Sequence, residues 1–97
     1  MTEKEKRDNG ELYIPANDSK LLSELRKAKE LCMKYNCISG EGAFEKRKSI
    51  LKELLGKCTS NIAIEPNFYC DYGYQIEIGD NFYANHNLVI LDPLRFL

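Results

Sequence analysis

The sequence predicts an α+β protein in which a helical hairpin precedes a run of short, regularly spaced strands. Three observations carry this. Residues 17–55 return apolar side chains at the helical steps of three and four. From Asn61 onward that period gives way to a recurrence of six. Glycine-containing segments separate the helices from each other and from the strands.

The first element is the least marked. "MTEKEKRD" allows a short helix over Thr2–Asp8, ended by Asn9-Gly10, although its charges leave it little to bury. Next, Asn17, Asp18 and Ser19 offer N-caps, because a short side-chain oxygen accepts from the unpaired first-turn amides. Behind them Leu21, Leu25, Ala28, Cys32 and Tyr35 form one stripe, widened by Leu22 and Leu31. Lys20, Glu24, Lys27 and Lys34 face outward, as on a surface helix. "NCISGEG" then breaks the helix. A second helix over Ala43–Leu55 gathers Phe44, Arg47, Ile50, Leu51, Leu54 and Leu55 on one face, with Gly56 as its stop. The short connection makes the pair an antiparallel hairpin.

The strand half begins with Ile64, Cys70, Ile76, Phe82 and Leu88, each six residues after the last. A second series, two positions on, runs Pro66, Tyr72, Ile78, Ala84 and Ile90. Alternation within a strand explains neighbours such as Ile76 and Ile78. A reset every six residues is the mark of a parallel β-helix, whose short strands turn corners and stack coil on coil. An antiparallel meander turning at Gly73 and at Gly79-Asp80 fits the same residues. Periodicity leaves both open.

Composition narrows the function classes. The chain has 97 residues, 43% apolar and 30% charged, which suits one small folded unit with a modest core. Its formal charge of -1 gives no electrostatic reason for nucleic acid or an anionic membrane as partner. No apolar run is long enough to span a bilayer, and the charged start is unlike a secretory leader, so the expected location is the cytoplasm. Cys32, Cys37, Cys58 and Cys70 form no C-x-x-C pair, and the one histidine, His86, is remote from them in sequence. The cysteines therefore read as free thiols packed like small apolar residues, and no metal site is expected.

Further residues carry a family likeness: "MTEKEK", "GELY", "RKAKELCMKYN", "EKRKSILKELLG" and, most specifically, "IEPNFYCDYGYQIEIGDNFYANHNLVILD". In these the chain resembles the maltose and galactoside O-acetyltransferases, of the hexapeptide-repeat acyltransferases, over nearly all of residues 1–92. The resemblance implies a helical cap domain over 1–57. It also implies the first coils of a left-handed parallel β-helix over 58–97, apparently truncated. The activity implied is transfer of acetyl from acetyl-CoA, as co-substrate, to a hydroxyl of a maltose, glucose or galactoside sugar. The family assembles as a homotrimer with sites between subunits, and no tightly bound cofactor is implied. Such chemistry needs a base to take the proton of a weakly nucleophilic hydroxyl, and a donor to hold the oxyanion that forms.

By motif, Asn85 in "FYANHN" matches the family's transition-state amide. Asp71 in "CDYGY" and Tyr83 in "FYAN" match positions lining the acceptor pocket, and Asp92 in "ILD" matches an acidic residue close to it. Carboxylates suit this role because they accept strong hydrogen bonds from hydroxyls. Each residue also has a plain structural reading, as a coil corner for Asn85, Asp71 and Asp92 and as packing for Tyr83. Asp18, near "GELYIPANDSK", is explained as well by capping and is left aside.

The family's catalytic histidine lies in a "THP"-like segment beyond the last residue of this sequence, as do the coils that grip coenzyme A. His86 occupies a position usually aromatic in the family and reads as a corner side chain. The resemblance therefore implies an acceptor-side half without base or donor site. Its final coil would expose open edges and Leu91, Leu94, Phe96 and Leu97, favouring association with other chains. The alternative to an acetyltransferase is an inactive module that docks with full-length relatives or binds sugar without turnover.

Overall fold

A computed structural model describes residues 2–10, 18–59 and 61–92. Helix α1 covers Glu3–Asp8 and is closed at its start by a capping box, Thr2 accepting from the Glu5 amide while the Glu5 side chain accepts from the Thr2 amide. The expectation that this charged helix has little to bury is corrected here, because Arg7 is 1% exposed. Its guanidinium lies 4.7 Å from the Tyr72 ring centre and 5.3 Å from that of Tyr74, and it donates to Asp8 Oδ1 at 2.7 and 3.0 Å. Two aromatic faces and a carboxylate replace the water that such a cation loses on burial.

Helix α2, Ser19–Asn36, is capped by Asp18, whose Oδ1 accepts from the amides of Lys20 and Leu21. Oδ2 of the same carboxylate accepts from the Lys4 amide, tying α1 to the start of α2. Hydrogen bonds from those amides, the Lys4 bond foremost, hold the Asp18 carboxyl below its ordinary range. The buried stripe is Leu21, Ala28, Leu31, Cys32 and Tyr35, with Leu25 only half-buried. Cys37, just past the helix, is exposed rather than packed.

Helix α3, Ala43–Leu54, buries Ala43, Leu51 and Leu54, but Phe44 is 50% exposed and so leaves the expected apolar face. Gly56 does not serve as a left-handed helix stop. A Cβ there would come within 2.0 Å of the Tyr74 carbonyl oxygen, and its amide donates to the carbonyls of Gly73 and Ile76. Glycine is needed because two backbones touch.

The strands are β1 (Ala63–Ile64), β2 (Phe68–Cys70), β3 (Tyr83–Ala84) and β4 (Leu88–Ile90). Both pairings are parallel: β1 with β3, and β2 with β4. A parallel bridge joins Lys57 to Glu77. The antiparallel meander is thereby excluded. All three ladders share one offset of twenty residues, so one turn of chain lays down three sides before stacking on itself.

This offset corrects the register implied by a strict hexad, which would set Ile64 over Phe82, three hexads on. Instead Ile64 stacks on Ala84 and Cys70 on Ile90. The two additional residues fall within 71–75, between β2 and the bridge. Asn81 and Asn87 take φ of 61° and 67°, six residues apart, and mark two corners.

One core runs through helices and coil together. It joins Ala28, Leu31, Cys32 and Tyr35 of α2 to Leu51 and Leu54 of α3, and to Ile62, Ile64, Phe68, Ile76 and Ile78 of the coil. The Tyr35 ring meets Phe68 edge-on, and its hydroxyl donates to the Ile64 carbonyl. Burial holds that hydroxyl's pKa up at about 12. Asn36 seals the junction, donating to the Phe68 carbonyl and accepting from its amide. Among the described residues β3 and β4 have no partner on their outer side. Tyr83, Val89 and Leu91 are more than half exposed, and Ile78, Phe82, Leu88 and Ile90 line an open apolar hollow of about 450 Å³. Leu94, Phe96 and Leu97 lie outside the described residues.

Candidate functional site

The two residues added to the coil make a loop, Asp71–Gln75, and Asp92 lies at its centre. Its side chain is fully buried. Oδ1 accepts from the amides of Asp71 and Tyr72 at 3.0 and 2.9 Å, and Oδ2 accepts from that of Gly73 at 2.7 Å. The Gln75 side-chain amide donates to the Asp92 carbonyl at 3.0 Å. Three consecutive amides turned inward have no strand to pair with, and a carboxylate with several acceptor sites satisfies them together. Gly73 permits the turn with φ of 85°, where a Cβ would come within 2.5 Å of the Leu54 carbonyl oxygen.

Asp71 is half-buried at the lip of this loop. Its carboxyl is pushed above the ordinary range, first by burial and then by the charge of Asp92. On the loop's other flank, Tyr72 and Tyr74 hold Arg7. The loop is thus gripped from α1 on one side and by Asp92 on the other.

Tyr83 and Asn85 lie elsewhere on the coil. Tyr83 opens β3 and is 62% exposed. Asn85 follows β3 and is exposed, with Oδ1 accepting from the His86 amide at 2.8 Å. Its backbone is not among those in the left-handed region; the corner conformation belongs to Asn87. Its NH₂ group is the part suited to donate to an oxyanion. His86 is exposed, with Nδ1 lying 2.6 Å from the Pro66 carbonyl oxygen. A carbonyl can only accept, so Nδ1 carries the proton, and the ring is tied to the coil beneath.

The structure therefore brings Asp71 and Asp92 together through a hydrogen bond and sets Tyr83 and Asn85 on another side of the coil. Asp18 caps α2. Sequence reasoning missed Arg7 and Gln75. The only signal for Arg7 was an arginine in a charged helix and a distant "DYGY" rich in aromatic faces, which no local period connects. Among the described residues no three His, Cys, Asp or Glu side chains converge as a metal site would require. No helix among them is long and apolar enough to cross a membrane.

Known proteins resemble this chain in sequence and fold. The family described as the maltose acetyltransferase hexapeptide capping motif matches residues 6–59. A Saccharomyces cerevisiae protein, named as an acetyltransferase by inference, is 56% identical over 87 residues, covering 89% of this chain and 43% of its own. Among solved structures, a maltose O-acetyltransferase from Clostridium difficile superposes with a TM-score of 0.88 at 43% identity, over 96% of this chain and 49% of that one. A galactoside acetyltransferase in complex with coenzyme A superposes with a TM-score of 0.78 at 33% identity, over 95% of this chain and 45% of that one. The chain spans about half the length of the relatives it matches. From the capping motif onward, then, this chain belongs to the maltose acetyltransferase capping-motif family of acetyltransferases.

Proposed function

We propose that the chain forms the acceptor-side half of an O-acetyltransferase that moves acetyl from acetyl-CoA to a hydroxyl of a maltose, glucose or galactoside sugar. The observation that carries this is the superposition on a maltose O-acetyltransferase over 96% of the chain. The coenzyme A held by the galactoside acetyltransferase supports acetyl-CoA as donor. In this reading residues 1–57 are the cap domain, and 58–97 are the first coils of a left-handed β-helix within a cytoplasmic homotrimer.

The roles are those the motifs imply, and the exposure of Tyr83 and Asn85 supports theirs. Asp71, at the loop lip, accepts a hydrogen bond from a sugar hydroxyl and orients it. The exposed ring of Tyr83 offers an apolar face to the sugar. Asn85 donates through its amide to the oxyanion formed when the hydroxyl oxygen attacks the thioester carbonyl. Asp92 serves the same pocket indirectly, because its buried carboxylate is occupied by three amides and sets where Asp71 stands. A base takes the hydroxyl proton, and coenzyme A leaves as its thiol. That base and the coenzyme A site belong to the half of the relatives' length that this chain does not span.

The test is a titration of the ¹⁵N-labelled chain with maltose and with a galactoside, beside an assay of coenzyme A released from acetyl-CoA. Shifts centred on Asp71 and Asn85 support an acceptor site. Release above a protein-free blank extends the activity to this chain. The absence of both sugar-induced shifts and coenzyme A release would defeat the reading. Among the described residues the outer edges of β3 and β4 are unpaired, which favours a second reading, a module that docks on a full-length relative without turnover. Co-purification with such a relative, and no coenzyme A release by the chain itself, is its expected outcome.

A further inference from the structure

The sulfurs of Cys32 and Cys70 stand 3.9 Å apart, across 38 residues of sequence. Cys32 is on α2 and 1% exposed; Cys70 ends β2 and is partly exposed, which gives the pair one open side. We propose that Cys32 and Cys70 are a peroxide-responsive dithiol that closes to a disulfide joining the cap helix α2 to strand β2. This inference stands apart from the acetyl-transfer reading.

A disulfide requires about 2.05 Å between sulfurs, so the two must close from 3.9 Å. The chemistry is divided between them. The hydrogen bond with the Cys70 thiol draws the Cys32 thiol below its ordinary range, against the effect of burial. The thiolate is the reactive form of a cysteine, so Cys32 is the attacking sulfur of the pair. The Cys70 proton is held in place by that same bond, then by burial and by the charges of Cys32, Asp92 and Asp71.

The Cys32 thiolate attacks one peroxide oxygen, and the O–O bond breaks. Cys32 becomes a sulfenic acid, and the departing hydroxide takes up a proton as water. The Cys70 sulfur then attacks the sulfenic sulfur; its S–H proton and the displaced hydroxide leave as a second water. Two thiols lose two electrons and two protons, and one peroxide becomes two waters. Because Asp71 follows Cys70 directly, the bond would fix the strand that leads into the Asp92 loop.

The test treats the reduced full chain with hydrogen peroxide at about equimolar dose, chosen so that dithiol closure precedes over-oxidation. N-ethylmaleimide then blocks remaining thiols, and trypsin with chymotrypsin cuts the unreduced protein, separating Cys58 from Cys70 after Phe68. The expected product is a Cys32 peptide joined to a Cys70 peptide, lighter by two hydrogens than the reduced pair. A Cys37→Ser, Cys58→Ser double variant keeps this product. A Cys70→Ser variant lets dimedone trap sulfenic acid at Cys32. Recovery of Cys32 and Cys70 both carrying maleimide, while oxidation collects at the exposed Cys37, would overturn the proposal.

Discussion

Two polar regions of the coil carry the candidate residues, and they use the same chemistry in opposite ways. In the Asp71–Gln75 loop a carboxylate is fully buried and spent on three backbone amides. At Tyr83 in β3 and Asn85 just past it, the side chains stand in the open with donors to spare. The difference lies in backbone satisfaction. Where the chain turns its amides inward, some acceptor must be supplied, and a nearby carboxylate becomes part of the fold. Where a ladder and a carbonyl already hold the chain, as β1 and Pro66 do here, side chains are left exposed to solvent.

Substitutions can break or sharpen this contrast, and the largest effect should come from the buried carboxylate. Asp92→Ala leaves three inward amides without their acceptor and should cost about 4 kcal/mol in urea unfolding. Asp92→Asn, which keeps one oxygen, should cost visibly less. Equal stability of Asp92→Ala and the parent would remove the structural role given to Asp92.

Next comes Tyr35, which ties the helices to the coil. Tyr35→Phe strands the Ile64 carbonyl and should cost about 2 kcal/mol. The same hydroxyl sets an alkaline limb. Its folded pKa, about 12, lies above its ordinary value of 10, so the folded state keeps a proton that the unfolded chain loses. The stabilisation is complete below pH 10 and is lost as pH rises through about 12, at about 1.4 kcal/mol per pH unit between. Tyr35→Phe should flatten that limb, read by unfolding at stepped alkaline pH.

Arg7 probes the loop from its other flank. Arg7→Ala removes a buried cation from two tyrosine faces and should cost about 1.5 kcal/mol, mostly through lost packing. Because the contact is buried, the loss should persist in high salt, unlike that of the exposed Lys48–Glu45 pair. Smallest in stability is Asn85→Ala, within about 0.5 kcal/mol. On the proposed function it should nonetheless abolish any acetyl transfer measured with the complementary half supplied. Unchanged transfer would end the case for Asn85.

The helical half was legible because its signals are local. Asp18 before Ser19, the stripe from Leu21 to Tyr35, and the glycines at Gly40 and Gly42 each act within a few residues of one another. The short strands could be named but not paired, since alternation within two or three residues is the same in parallel and antiparallel partners. Of the candidate site, "FYANHN" and "ILD" could be picked out as motifs, yet burial separates them, leaving Asn85 exposed and Asp92 enclosed.

Local spacing alone thus determined two helices, the Asp18 cap of the first and a six-residue recurrence, because helices and corners are built from neighbours in sequence. Only the tertiary structure decided the rest. The twenty-residue coil, the enclosure of Arg7 by tyrosines more than sixty positions away, and the meeting of Cys32 with Cys70 all depend on segments distant in sequence. Such contacts form when apolar burial folds the chain back on itself. The polar groups carried inward then take whichever partners they find there.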